Sequence, residues 1–340
     1  MKKLLLSSVA AAVCGLLGSA PAWSAAYTFT TLSIPGASPG WYPYAASIND
    51  LNQVVVSVAV PDVSYNYTAV DDIYNLNTKT YTPIPSDPAA SSGSYNSTEA
   101  FGISNSGEIV GDYHPIPVGS GWAGFSLVGG SFAPVIYPPG STYSYPLAVN
   151  SHGQIVGLFD DGIQFNGYAE SGGTFKTADV PDAWGNNTII DGLNDSGTAV
   201  GYYLSAAATS GQANYDLPFV YSLATGTFTQ VASPPGYTAS SLEGINDHGE
   251  VVGSAWNDLA NGTDPVGFTY DGGSWVPFDD PLGVEGTYPY DINDHGDIVG
   301  DYIDAQGNLQ AFVATPAPEP ASLAVLAMGL IGLGFARRRA

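Results

Sequence analysis

The chain is poor in basic residues and in cysteine. Its 340 residues include seven Lys and Arg, 31 Asp and Glu, and one Cys. Five of the basic residues lie at the two ends, which leaves Lys79 and Lys176 between residues 27 and 315. Only Glu319 of the acidic residues lies outside that range, so thirty carboxylates against two lysines give this body a net charge of about −28. Phosphate contacts need a basic surface, so we expect no nucleic-acid partner.

The motifs of common enzyme classes are also absent. The sequence has no nucleophile elbow, phosphate-binding loop, zinc-protease motif or dinucleotide fingerprint. The only cysteine, Cys14, precedes the body, so the body has no disulfide and its hydrophobic core must hold it together. We therefore favour a protein that is not an enzyme and has no cofactor, although the sequence leaves a catalytic activity open.

The N-terminus has the order of a secretory signal peptide. Lys2 and Lys3 precede an apolar run from Leu4 to Leu17, and small residues follow up to Ala26. Cleavage after Ser24 and cleavage after Ala26 both satisfy the small-residue requirement. We predict a signal peptide over residues 1–26, removed by signal peptidase, and an exported mature protein.

The C-terminus predicts a membrane helix. An uncharged run, residues 321–336, follows Pro318, Glu319 and Pro320 and precedes Arg337, Arg338 and Arg339. Sixteen helical residues span roughly 24 Å, which is workable when polar residues reach the interfaces. The arginines should remain cytoplasmic, which places the rest of the chain outside.

This order of residues resembles the PEP-CTERM sorting signal. The resemblance covers about the last 25 residues and gives a tail at 316–340. It implies processing by a membrane protease of the exosortase type, transient membrane anchoring, and delivery to the cell surface or extracellular matrix, with a biofilm matrix as one setting. It implies nothing about the activity of the body.

The body contains six copies of one nine-residue phrase. The copies begin at Ile48, Ile103, Val149, Leu193, Ile245 and Ile292, with spacings of 44 to 55 residues. Ile292-Asn-Asp-His-Gly-Asp-Ile-Val-Gly300 is typical. Its centre predicts a tight turn between two strands, with the fourth turn residue in a left-handed conformation. Asn52, which tolerates that conformation, replaces glycine in the first copy.

A second glycine-containing hairpin follows each turn, so each repeat predicts four strands in about 48 residues. Four-stranded units of this length are the blades of a β-propeller. The last repeat ends after a third strand at Ala311–Thr315, whereas an unpaired strand at Thr28–Pro35 precedes the first repeat. We therefore predict an all-β, six-bladed propeller over residues 27–315, closed by the N-terminal strand. An open β-solenoid is the alternative.

The repeats resemble the HAF family of extracellular repeat proteins, whose phrase is Ile-Asn-Asp-x-Gly-x-Val-Val-Gly followed by an aromatic strand. The match covers all six turns, but the His-Ala-Phe triplet appears as variants such as Gly-Phe and Ala-Phe. The family implies no catalytic residues.

Candidate site residues come from the end of the propeller that carries the long connections, since function tends to lie on variable loops. The candidates for a ligand face are Tyr44, Tyr145, Tyr288, Trp41 and Trp184. The weak candidates for calcium are Asp160, Asp161, Asp301 and Asp304. Packing between blades is the alternative role for the aromatic residues.

The turns themselves carry His152, His248 and His295 at one position and Asp50, Asp195, Asp247 and Asp294 at another. We expect adjacent blades to hold equivalent turns far apart, so these are interpreted as turn residues and not as metal ligands.

Three functions follow from these predictions. The first is a surface or matrix protein that binds extracellular polysaccharide without catalysis. The second is a polysaccharide hydrolase or lyase, for which two close carboxylates in the propeller mouth would be the structural sign. The third is a purely structural repeat protein, for which we expect a flat end without a pocket.

Overall fold

The computed structural model describes eleven stretches of the chain. They are 27–35, 37, 41–61, 67–88, 98–113, 121–133, 136, 138–181, 183–205, 216–257 and 265–317. The described residues form strands, turns and connections, and none of them forms a helix that could span a bilayer. The predicted signal peptide and the predicted membrane helix at 321–336 lie outside the described residues.

The strands form six four-stranded antiparallel sheets, which confirms the six-bladed propeller. Blade 1 contains β2 (Tyr42–Ile48), β3 (Gln53–Pro61), β4 (Tyr67–Asn75) and β5 (Thr80–Pro83); blade 2 contains β6 (Thr98–Ile103), β7 (Ile109–Tyr113), β8 (Ala123–Val128) and β9 (Ser131–Phe132); blade 3 contains β10 (Tyr143–Val149), β11 (Gln154–Asp160), β12 (Phe165–Ser171) and β13 (Thr174–Thr177). Blade 4 contains β14 (Ala183–Leu193), β15 (Thr198–Ser205), β16 (Asp216–Ser222) and β17 (Thr227–Gln230); blade 5 contains β18 (Ala239–Ile245), β19 (Val251–Trp256), β20 (Val266–Asp271) and β21 (Ser274–Phe278); blade 6 contains β22 (Thr287–Ile292), β23 (Ile298–Ile303), β24 (Leu309–Pro316) and β1 (Tyr27–Thr31). The first strand of each repeat lies at the propeller axis.

The N-terminal strand completes the last blade, as the unpaired terminal strands predict. β1 pairs antiparallel with β24, from Tyr27 opposite Pro316 to Thr31 opposite Phe312. The Phe29 ring lies 5.6 Å from the Phe312 ring and 5.0 Å from that of Phe278 in blade 5. Burial of these rings against a neighbouring blade stabilises the junction between the two ends of the chain.

The repeated phrases form hairpin turns at one end of the axis, which we call the turn end. The fourth turn residue has positive φ in every copy, from 60° at Asn52 to 83° at Gly249. This confirms the turn type and explains glycine or asparagine at that position. The connections between the second and third strands, and between blades, lie at the opposite end, which we call the long-loop end.

Equivalent turns are in contact, so the expectation that they lie far apart was wrong. The first turn asparagine donates its Nδ2 to the carbonyl oxygen of the equivalent residue in the next blade. The five bonds of this kind are Asn49 to Ser104, Asn150 to Asn194, Asn194 to Asn246, Asn246 to Asn293 and Asn293 to Asn49, at 3.0 to 3.3 Å. The same asparagines also accept bonds from their own turn, as Leu51 N to Asn49 Oδ1 illustrates.

A second ring of bonds lies beside the first. In five of the six blades, the backbone N–H of the second turn residue donates to the Oδ1 of its equivalent in the next blade. These bonds join Asp50 to Asn105, Ser151 to Asp195, Asp195 to Asp247, Asp247 to Asp294 and Asp294 to Asp50, at 2.7 to 2.8 Å. The recurrence of Asn-Asp therefore reflects contacts between blades as well as turn geometry.

One junction interrupts both rings. Blade 2 has Ser104 where the other blades have asparagine, and blade 3 has Ser151 where a carboxamide or carboxylate would accept a bond. Among the described residues, neither type of ring bond joins blades 2 and 3, and the buried Ser151 Oγ has no hydrogen-bond partner. The ring is thus closed at the chain ends and weakest between blades 2 and 3.

Candidate axial binding site

Each inner strand carries a β-bulge two residues before the repeated phrase. The register against the second strand shifts at the same position in all six blades, for example between Ala45 and Ser47 and between Leu242 and Gly244. A β-bulge changes the direction in which one side chain of the strand points. The six bulge residues line the axis, and we call them the bulge ring: Ala46, Phe101, Leu147, Asp191, Glu243 and Tyr290.

Close approach of the inner strands keeps the bulge ring narrow. Small residues follow the bulge in most blades, and a Cβ at Gly244 would lie 2.5 Å from the Cα of Asp291 in the next blade. At the equivalent position of the closing junction, Asp291 Oδ2 accepts bonds from Ser47 Oγ at 2.6 Å and Ile48 N at 3.0 Å. The geometry of the ring is therefore fixed by close backbone approach and by side-chain hydrogen bonds between blades.

The bulge ring separates two cavities on the axis. The turn-end cavity is narrow, about 80 Å³, and the repeated turns form its remaining wall. The long-loop cavity has a volume of about 380 Å³, and Tyr44, Asp301 and Leu309 line it together with the bulge ring. This volume lies within the range of small-molecule sites.

The wall of the long-loop cavity is apolar on one side and acidic on the other. Blades 1 to 3 contribute Ala46, Phe101 and Leu147, whereas blades 4 to 6 contribute Asp191, Glu243 and Tyr290. One side can therefore contact an apolar face of a ligand while the other side contacts hydroxyl or amino groups.

The carboxyl groups on the acidic side have raised pKa values. Burial raises the pKa of Glu243 to about 7. Burial and the neighbouring Glu243 carboxylate raise the pKa of Asp191 well above its usual value. Asp191 Oδ2 is buried and has no hydrogen-bond partner among the described residues.

Asp301 extends the acidic side toward the long-loop end. Its side chain is 2% exposed, and burial raises its pKa to about 7. Its Oδ2 accepts a bond from the Tyr290 hydroxyl at 3.1 Å, whereas its Oδ1 has no partner within the described part of the chain. A buried carboxylate oxygen without a partner is costly unless a ligand or water satisfies it.

A second acidic cluster lies between blades 1 and 2. The Tyr44 hydroxyl donates to Glu99 Oε1, and Asp112 lies opposite Glu99 on the neighbouring strand. Burial, followed by the charges of Glu99 and Asp71, raises the pKa of Asp112 well above its usual range. Tyr44 thus joins this cluster to the long-loop cavity.

The predicted ligand-face residues occupy different environments. Of the four whose side chains the structure describes, Tyr44 alone lines the long-loop cavity. Tyr145 lies parallel to Tyr143 with ring centroids 6.4 Å apart, and Trp41 packs against the core between blades. Tyr288 lies opposite Asp301 in the β22–β23 pair, and the Trp184 side chain lies outside the described residues.

The calcium candidates occupy different environments. Asp161 Oδ1 accepts the backbone N–H groups of Ile163 and Gln164, and Asp160 Oδ1 accepts that of Gly162. Asp304 Oδ1 likewise accepts the N–H groups of its own turn, whereas Asp301 lies on the axis. Among the described residues, no three histidine, cysteine or carboxylate side chains come together as ligands for a metal ion.

The turn histidines are exposed at the turn end. The His248 Nδ1 lies 3.7 Å from Asp294 Oδ1 of the next blade, and its side chain is 64% exposed. His152 and His295 occupy equivalent exposed positions. The three histidines lie outside both axial cavities.

The sequence prediction missed all six bulge residues and Leu309. Strict alternation along a strand cannot identify them, because the bulge changes which side chain points to the axis. A usable signal was nevertheless present: this position holds six different residues in six otherwise similar repeats.

Comparison with known proteins identifies the tail and supports the fold. Residues 316–339 match the PEP-CTERM protein-sorting motif. A motif of this type indicates an exported protein that is processed by an exosortase, a membrane protease. No protein of curated function shows significant sequence similarity to the chain.

Solved structures similar to this chain include three that differ in their degree of overlap. A gluconolactonase from Xanthomonas campestris has a TM-score of 0.52 and 11% identity, over 88% of this chain and 93% of that protein. YjhT has a TM-score of 0.46 and 11% identity over 83% and 96% of the two chains. Dipeptidyl peptidase 4 from Porphyromonas gingivalis has a TM-score of 0.40 and 9% identity over 84% and 49%. The first of these similarities concerns the fold alone.

Proposed function

We propose that this protein is a surface or matrix protein whose propeller binds extracellular polysaccharide without catalysis. The sorting motif supports delivery outside the cell. The long-loop cavity supports binding, because it combines an apolar side with an acidic side in a volume of about 380 Å³. The HAF-like phrase of the repeats agrees with an extracellular role.

The two-sided wall is the observation on which the proposal depends. A sugar ring has C–H groups on its faces and hydroxyl groups around its edge. Phe101 and Leu147 would contact the C–H groups, as aromatic and aliphatic side chains do in mostly apolar pockets. Asp191, Glu243 and the Tyr290 hydroxyl would bond the hydroxyl groups.

The shape of the cavity restricts which part of a polymer enters. The bulge ring closes the cavity toward the turn end, and inner strands surround it on all sides. A polymer chain cannot pass across such a site, so the ligand is a terminal or branching unit.

Calorimetry with fragments of the producer's own extracellular polysaccharide tests this function. Phe101→Ala removes the largest apolar wall and should weaken binding at least about tenfold. Phe165→Ala is the matched control, because Phe165 is 43% exposed and does not line the cavity. Equal affinities for the two variants, with both folded, would place the ligand elsewhere.

A hydrolase or lyase is the second candidate, and one observation favours it. Asp191 and Glu243 lie on neighbouring blades of the cavity wall, and burial raises the pKa of both carboxyl groups. Paired carboxyl groups in different protonation states can serve as acid and base. Release of reducing ends from the same polysaccharide, lost in Glu243→Gln, would favour the enzyme.

The purely structural alternative has less support. It predicts a flat long-loop end without a pocket, whereas a cavity lies on the axis behind that end. A matrix protein without a ligand also gives no reason for buried acidic bulge residues in two neighbouring blades, Asp191 and Glu243.

A further inference from the structure

The carboxyl groups of the long-loop cavity have no cationic partner among the described residues. The body contains no arginine, and Lys79 and Lys176 are its only lysines. Lys79 lies in the turn between β4 and β5, and Lys176 is exposed on the outermost strand of blade 3. Among the described residues, the one ion pair joins His248 to Asp294 at the turn end.

Two carboxylate oxygens that belong to this cavity also have no hydrogen-bond donor among the described residues. Asp301 is almost fully buried with Oδ1 unpartnered, and Asp191 Oδ2 is also unpartnered in the described structure. The Tyr290 hydroxyl donates to Asp301 Oδ2, and Asp301 Oδ1 accepts no hydrogen bond in the described structure. The cavity therefore offers acceptors for N–H or O–H donors and presents no cationic donor of its own.

From these two observations we infer that the ligand carries a positive charge: the long-loop cavity binds an amino-sugar unit through its free ammonium group. This inference rests on the proposed function and specifies its ligand. The ammonium would lie beside Asp191 and Glu243, and the opposite face of the ring would lie on Phe101 and Leu147.

Charge energetics favour such a ligand over neutral and acidic sugars. An ammonium donates up to three hydrogen bonds, and bonds between ionised partners are roughly twice as strong as neutral ones. It would also compensate the buried negative charge when the carboxyl groups lose their protons. A uronic acid would add a further carboxylate and be repelled. The strongly acidic body attracts cations toward the same site.

A metal ion is a less suitable occupant. Calcium takes six to eight oxygen ligands. No three carboxylate or histidine side chains converge in the described residues, whereas an ammonium needs only one or two acceptors.

Calorimetry at pH 7 with three matched trisaccharides tests the inference on the purified exported protein. The probes are β-1,4-linked glucosamine, N-acetylglucosamine and glucose, with ethylamine and calcium chloride as non-sugar cations. We expect the glucosamine trimer to bind at least about tenfold more tightly than every other probe. Asp191→Asn and Glu243→Gln should each reduce that preference, whereas Glu285→Gln, a substitution at an exposed site off the axis, should retain it.

The outcomes separate the two proposals. Neutral trimers that bind as tightly as the glucosamine trimer would overturn the charged ligand and leave the saccharide function standing. Ethylamine or calcium that binds as tightly as the glucosamine trimer would overturn both, because the sugar ring would then contribute nothing. Absence of binding by all five probes would overturn the amino-sugar assignment alone, and absence of binding to the producer's own polysaccharide as well would overturn the general function.

Discussion

The two ends of the axis are built from the same repeats but differ in regularity. At the turn end, five of six junctions carry the same pair of hydrogen bonds between equivalent residues. Two residues before each repeated phrase, the bulge ring has a different residue in every blade. The positions that are similar in the six repeats hold the ring together, and the position that differs in each repeat lines the cavity.

The two ends should also respond differently to pH, and this is the largest effect that we expect. Asp301 has a pKa of about 7 in the folded protein against about 3.8 when unfolded, so the folded state retains its proton over this interval. Stability from this group is therefore present below about pH 4 and is lost as the pH rises toward 7. The loss is on the order of 4 kcal/mol for Asp301 alone.

Urea unfolding at pH 4.5 and 7.5 checks this prediction. Asp301→Asn, which imitates the protonated side chain, should reduce the difference between the two pH values. Asp271→Asn is the control, since Asp271 is exposed at the end of β20. Stability that increases from pH 4.5 to 7.5 would show that the buried carboxyl groups do not dominate.

Breaking the turn-end ring should have the next largest effect. Asn293 is buried, donates to Asn49 O across the closing junction, and accepts the N–H groups of His295 and Asp297. Asn293→Ala leaves these partners unsatisfied and should lower the free energy of unfolding by about 2 kcal/mol. Asn77→Ala, at an exposed turn, should change it little. An equal loss in both variants would mean that the ring bonds contribute no stability.

Repairing the interrupted junction should have the smallest effect. Ser104→Asn with Ser151→Asp supplies an amide donor and a carboxylate acceptor where blades 2 and 3 lack both. We expect a gain of about 0.5 to 1 kcal/mol in the free energy of unfolding, measured by thermal and urea denaturation. Ser104→Ala, which adds no amide, should produce no gain. A loss in the double variant would show that the serines are needed to fit the neighbouring strands.

The repeated phrase was sufficient to predict the blades and their closure. Turn chemistry at Asn52 and the glycines, together with the unpaired strands at Phe29 and Phe312, predicts six blades joined at the chain ends. Turn conformation depends on neighbouring residues in the chain, and closure follows from counting the strands. Both can therefore be predicted from a single sequence.

The cavity was much harder to predict. Tyr44 was predicted because it is an aromatic residue at the end that carries the long connections, and it does line the cavity. Asp191 and Glu243 were not found, because their direction depends on a bulge and their pKa values depend on burial by other blades. The bonds between equivalent turns were missed for a related reason: the distance between blades near the axis is a property of the closed ring.

The pairing of Tyr27 with Pro316 also determines how the molecule is held. Both ends of the described chain lie at the turn end, and Pro316 lies beside the turn residue Gly296. The sorting motif begins at this same residue. The turn end is therefore the end of the propeller from which the tail departs, and the long-loop cavity opens at the end away from it.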